Sequence, residues 1–103
     1  MSQFENVTVV KAANLYFEGK VSSRTVLFAD GSRKTLGLML PGEYTFGTEA
    51  AEVMEILAGD LRIKLPGADW QSISAGQSFD VPANASFDVV IETPTDYCCT
   101  YLD

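Results

Sequence analysis

The sequence predicts an all-β fold, on two observations. Turn signals recur at short intervals: Asp30-Gly31, Pro41-Gly42, Gly59-Asp60, Pro66-Gly67, Ala75-Gly76, Pro82-Ala83-Asn84 and Thr93-Pro94. Most lie ~8–12 residues apart, the spacing of a β-sandwich or barrel. The segments between them carry strand patterns rather than a helical period.

Each segment supports that reading in turn. Residues 1–13 precede the punctuated region and read as an N-terminal arm. Thr35-Leu36-Gly37-Leu38-Met39-Leu40 is uniformly apolar and is expected to be a strand covered on both faces. Thr48 to Leu57 contains Glu49-Ala50-Ala51-Glu52-Val53-Met54-Glu55, which tempts a helical assignment. It is too short for an isolated helix and sits between strand signals, so it reads as a loop followed by a strand over Val53 to Leu57. Leu61-Arg62-Ile63-Lys64-Leu65 alternates, with apolar side chains on one face and two cations on the other. Ser86 to Ile91 is rich in β-formers, and Tyr97 to Tyr101 closes the chain as a last strand.

Composition narrows the function classes. A length of 103 residues suffices for one hydrophobic core and is too short for two, so residues 1–103 form a single expected domain. The net charge is −7 and the seven Lys and Arg are scattered, which argues against nucleic acid as a partner. No apolar run reaches the ~18 residues of a membrane span. Met1 to Glu5 lacks a basic segment followed by an apolar one, so a cytoplasmic location is expected. Cys98 and Cys99 are adjacent, so in a strand they point to opposite faces and are expected to stay unbridged. The chain has no histidine. Histidine-based acid–base catalysis and histidine metal sites are therefore excluded.

Two stretches have the layout of cupin motifs. Glu52, six residues and Gly59 match the end of the first motif; Gly76, five residues and Pro82 match the second. The positions of the metal-binding histidines fall near Phe46 and Thr48 and on Phe87, leaving one carboxylate, which cannot hold a transition metal alone. A closer likeness runs through Phe17-Glu18-Gly19-Lys20-Val21, Gly37-Leu38-Met39-Leu40, Gly42-Glu43-Tyr44-Thr45-Phe46, Asp69-Trp70-Gln71, Phe79-Asp80-Val81-Pro82 and Pro94-Thr95-Asp96-Tyr97. In these segments the chain resembles the small bacterial cupins called pyrimidine/purine nucleoside phosphorylases, over roughly residues 14–102. The resemblance implies a single-domain cupin, a jelly-roll-like β-barrel. It also implies phosphorolysis: nucleoside plus phosphate gives free base plus pentose 1-phosphate, with broad base tolerance.

That reaction sets chemical requirements. Positive charge develops on the sugar as the glycosidic bond breaks. Phosphate needs cationic donors, and Arg33 and Lys20 are the preferred ones, ahead of Arg24 and Lys34. Arg62 and Lys64 are expected to face water. A carboxylate must serve the ribose or the departing base: Glu43 first, then Glu52, with Asp80 third. Tyr44, Phe46, Phe87 and Tyr97 are candidates to stack on the base. Trp70, beside turn residues, is expected against a barrel end or a partner subunit. No cofactor is expected beyond phosphate as co-substrate, and no metal. A homodimer is expected because the edges of a small barrel need cover. The alternative is a non-catalytic, metal-free cupin that binds a nucleoside or sugar.

Overall fold

The computed structural model describes residues 3–103, in which period-two segments form eleven strands: β1 (Thr8–Val9), β2 (Asn14–Tyr16), β3 (Val21–Leu27), β4 (Arg33–Met39), β5 (Gly42–Gly47), β6 (Glu52–Ala58), β7 (Asp60–Lys64), β8 (Gln71–Ser74), β9 (Ser78–Val81), β10 (Ser86–Ile91) and β11 (Thr95–Tyr101). The tempting helical stretch before Leu57 is loop and strand. A short 3-10 turn, Phe17–Gly19, joins β2 to β3.

The strands make two antiparallel sheets. The larger has the order β1-β3-β4-β11-β6-β9, with β2 also paired to β3. Register places β1 opposite Val26 and Leu27, and β2 opposite Val21 to Ser23, so the two share one edge of β3 end to end. The smaller sheet has the order β5-β10-β7-β8. The chain crosses between the sheets at β4–β5, β6–β7, β8–β9 and β10–β11 at one end, and at β5–β6 and β9–β10 at the other. The two sheets face each other across one core, the arrangement of a jelly roll.

The core follows from the alternation. Leu61 and Ile63 are fully buried, whereas Arg62 and Lys64 point outward, as the pattern of β7 requires. Val89 and Ile91 of β10 and Met54 and Ile56 of β6 fill the same space. Cys98 and Cys99 are both free and buried, on opposite faces of β11.

One expectation is corrected. β4 is not covered on both faces: Leu36 and Leu38 are 37% and 41% exposed on the outer face. Its inner face is Thr35, Gly37 and Met39, so the continuous apolar run hides an ordinary one-sided strand. Gly37 faces Tyr97 across the β4–β11 pair. A Cβ there would lie 2.2 Å from the Ser22 carbonyl oxygen and 2.6 Å from the Tyr97 ring, so only glycine lets that ring lie flat on the strand. In the arm, Phe4 packs edge-on against Phe28 at 5.2 Å; residues 1–2 lie outside the described ones.

Candidate active site

Between the sheets lies a cavity of about 160 Å³. At ~30 Å³ per water it has room for roughly five waters, about one heterocycle. Its two walls differ in chemistry.

The apolar wall comes from the small sheet and β9. Phe46 of β5 and Phe87 of β10 are paired across strands, with ring centroids 5.7 Å apart and planes tilted by 33°. Phe79 of β9 meets Phe87 edge-on at 6.2 Å. Phe46 is only half-buried, so part of its ring remains available to a ligand.

The polar wall comes from the large sheet. Alternation along β11 turns Tyr97, Cys99 and Tyr101 inward, beside Ser23, Thr35 and Glu52. The Tyr101 hydroxyl lies 3.3 Å from that of Thr35. The Tyr97 hydroxyl donates to the Ser22 carbonyl at 3.3 Å. Asn14 Nδ2 donates to Ser23 Oγ at 3.2 Å. Burial pushes the Cys99 thiol up to about 12, with the nearby Glu52 charge adding to it. Burial likewise pushes the Tyr101 phenol up to about 12, and lifts that of Tyr97. These groups stay protonated at neutral pH and act as neutral donors and acceptors.

Two charges sit at the mouth of this wall. Glu52 begins β6 and pairs with Tyr101. Burial raises its carboxyl above the ordinary range; the Cys99 thiol and the Arg33 charge pull the other way without cancelling it. Arg33 begins β4 and stacks its guanidinium 3.9 Å from the centre of the Tyr101 ring. It also reaches the Asp103 carboxylate at 3.3 Å, with both side chains largely in solvent. A carboxylate and a planar cation thus flank the opening of an aromatic cavity.

The sequence model described as pyrimidine/purine nucleoside phosphorylase matches residues 11–101. The chain belongs to this family. A pyrimidine/purine nucleoside phosphorylase of Hydrogenovibrio crunogenus is 72% identical over 104 residues, covering 100% of both chains. One of Sulfurimonas denitrificans is 63% identical over 102 residues, covering 99% of each. Among solved structures, a protein of unknown function from Acinetobacter sp. ADP1 superposes with a TM-score of 0.92 at 43% identity, over 96% of this chain and 97% of its own. An RmlC-like cupin from Shewanella frigidimarina, 18% identical with a TM-score of 0.72 over 98% of this chain and 93% of its own, shows the cupin fold.

Within that family fold the candidate residues separate. Glu52, Phe46, Phe87 and Tyr97 line the cavity, with Arg33 at its mouth. Glu43 does not join them: it is exposed on the outer face of β5, in a shallow recess shared with Trp70 and Asp88. Tyr44 is buried core, and its hydroxyl donates to the Leu40 carbonyl at 2.7 Å. Lys20 is exposed at the start of β3, the end of the barrel away from Arg33 and Glu52. Asp80 is exposed on β9, opposite Val53. Arg62 pairs with Glu92 at 3.8 Å on the surface, and its guanidinium lies 5.9 Å from the Trp70 ring. Trp70 itself is 45% exposed. Thr35, Cys99 and Tyr101 were not singled out by sequence. The parity of β11 carries their signal, since a strand that turns Tyr97 inward turns Cys99 and Tyr101 inward too.

Proposed function

We propose that the protein is a broad-specificity nucleoside phosphorylase, a pentosyltransferase that uses phosphate as co-substrate and no other cofactor. The observation that supports this most is the placement of Arg33 and Glu52 at the mouth of the Phe46–Phe87 cavity, in a chain of this family. A phosphate oxygen forms the new bond to C1′ of the pentose. The C1′–N bond breaks, its electron pair goes to the base, and the proton carried by phosphate balances the base nitrogen. Arg33 offers its planar fork to the phosphate. Glu52, in its carboxylate form, accepts from the ribose hydroxyls and offsets positive charge at C1′. Phe46 and Phe87 stack on the base, a contact every nucleobase can make, which accounts for tolerance of both purines and pyrimidines. A cavity sized for about one nucleobase holds the base while the pentose sits at the charged mouth.

Glu43, Lys20 and Tyr44 have no part in this reading, because their side chains lie away from the cavity. A resident metal has none either. The chain lacks histidine, and among the described residues no three Cys, Asp or Glu side chains converge. Two free thiols suit the reducing cytoplasm. The working unit in this proposal is a homodimer, supported by Leu36 and Leu38, which a central strand leaves exposed on the outer face. Light scattering at working concentration measures the dimer mass, and a monomer mass removes that part.

The deciding assay is free-base release from uridine and from inosine, with and without phosphate, in the presence of a chelator. The expected result is release that needs phosphate and ignores the chelator. Release without phosphate would make the enzyme a hydrolase. Binding without release would make it a nucleoside-binding module.

A further inference from the structure

The turn between β2 and β3 is built in an expensive way. Phe17, Glu18 and Gly19 follow one another with φ of 52°, 58° and 87°. Left-handed backbone is disfavoured for residues with a Cβ and is rare in consecutive positions. Such a run persists when surrounding contacts hold it. Two backbone bonds pin it: Lys20 N donates to the Phe17 carbonyl at 3.2 Å, and Leu40 N donates to the Lys20 carbonyl at 2.9 Å.

The contorted path delivers one ring. Tyr16, the last residue of β2, lines the cavity from the large sheet. One residue later the Phe17 ring lies on the small sheet, 4.9 Å from the Tyr44 ring and edge-on to Phe46 at 5.5 Å. Phe17, itself 41% exposed, therefore lies over the seam where the β3 side of one sheet meets the β5 edge of the other. It does not line the cavity. Phe46 does, and its ring has Phe87 on one side and Phe17 on another. Because Phe46 is half-buried, its own strand leaves it partly free to turn, and the edge of Phe17 limits that freedom.

We propose that Phe17 is a positioning residue: held by its left-handed turn, it fixes the Phe46 ring as the stacking platform for the base. The functional consequence rests on the phosphorylase reading above, whereas the placement of the ring does not. A fixed platform binds a base without first losing ring freedom, so the effect of Phe17 appears in nucleoside binding and not in phosphate binding.

The experiment uses the full chain with Phe17→Ala, Phe17→Tyr and, as a space-filling control that also folds if alanine does not, Phe17→Leu. Fluorophenylalanine labelling with the Phe46 resonance assigned reports ring order directly. The expected result is a shifted or broadened Phe46 resonance in Phe17→Ala, restored by Phe17→Tyr. In the activity assay the nucleoside KM rises about fivefold or more, a loss at the low end of a stacking contact. The phosphate KM stays within about twofold of wild type, since Arg33 lies at the other end of the strands. An unmoved Phe46 resonance overturns the proposal whether or not the protein turns over nucleosides. So does an equal rise in both KM values together with lost thermal stability, which marks a merely structural residue. A moved resonance with no base release from any variant, wild type included, retains the positioning role and removes the phosphorylase reading instead.

Discussion

Replacing Glu52 by glutamine tests the site through two effects of opposite sign. Burial raises the Glu52 carboxyl above its ordinary value of 4.5, against the weaker pull of Cys99 and Arg33. A raised folded-state pKa means the fold favours the neutral form. The group's favourable contribution is complete below the unfolded-state pKa and is lost as pH climbs through the folded one. At pH 7 the ionised side chain therefore weighs against stability, and a neutral amide of the same shape relieves it. Glu52→Gln is expected to melt higher than wild type at pH 7 and at the same temperature below about pH 4, where the glutamate is itself protonated. Activity moves the other way. For one charge-assisted hydrogen bond from the substrate to this carboxylate, the loss is about 1.5–3 kcal/mol. That corresponds to a fall of ~10- to 150-fold in kcat/KM for the nucleoside at saturating phosphate. Base release and thermal unfolding on one preparation read both. A variant with kcat/KM within twofold of wild type removes Glu52 from the site. A variant less stable at pH 7 shows that the attraction of Arg33 outweighs burial, and refutes the sign argued here.

The remaining predictions concern the two charges, the strand glycine and the outward glutamate. Arg33→Ala is expected to raise the phosphate KM tenfold or more, by loss of a charge-assisted contact of ~1.5–3 kcal/mol, with little change in the nucleoside KM; equal effects on both would sink its phosphate role. Asp103→Asn frees the same guanidinium from a competing carboxylate and is expected to lower the phosphate KM by about two- to fivefold, within the range of an exposed ion pair. An unchanged value means that phosphate does not meet Arg33. Gly37→Ala places a methyl group against the Ser22 carbonyl and the Tyr97 ring. Such overpacking is expected to cost ~3 kcal/mol or more and to lower the Tm by ~12 °C or more. A loss below about 4 °C would show that Tyr97 yields easily. Glu43→Gln is expected to leave kcat/KM within about twofold of wild type, and a tenfold fall would put the recess beside Trp70 into the mechanism.

The parity of a β-strand accounts for what the sequence made legible and what it concealed. In β7 the alternation of Leu61, Arg62, Ile63 and Lys64 matches the observed faces residue by residue, because each inward position is a large aliphatic side chain and each outward one a cation. In β4 the same rule operates but the letters disguise it. Leu36 and Leu38 point outward and Gly37 inward, so hydrophobicity runs opposite to burial. What makes that tolerable is Tyr97, whose ring occupies the inner space that Gly37 leaves empty, and this partner is sixty residues away in sequence. No local pattern could reveal it.

The same rule sorts the candidate site. Glu43 and Tyr44 are neighbours in β5, and successive residues of a strand face opposite ways, so they cannot serve one cavity together. Once Phe46 is taken inward on its motif position, Tyr44 goes inward with it and Glu43 must go out. In β11 the argument runs forward: Tyr97 inward brings Cys99 and Tyr101 inward, and Tyr101 then supplies the ring on which Arg33 stacks. Choosing between Arg33 and Lys20 needed more than parity. Both lie on neighbouring segments of the large sheet, but β3 starts at one end of the barrel and β4 at the other, so antiparallel pairing separates them by the length of a strand. Glu52 starts β6 at the Arg33 end. Opposite charges from two separate strands reach one mouth because β4 and β6 both begin there, flanking β11 in the same sheet.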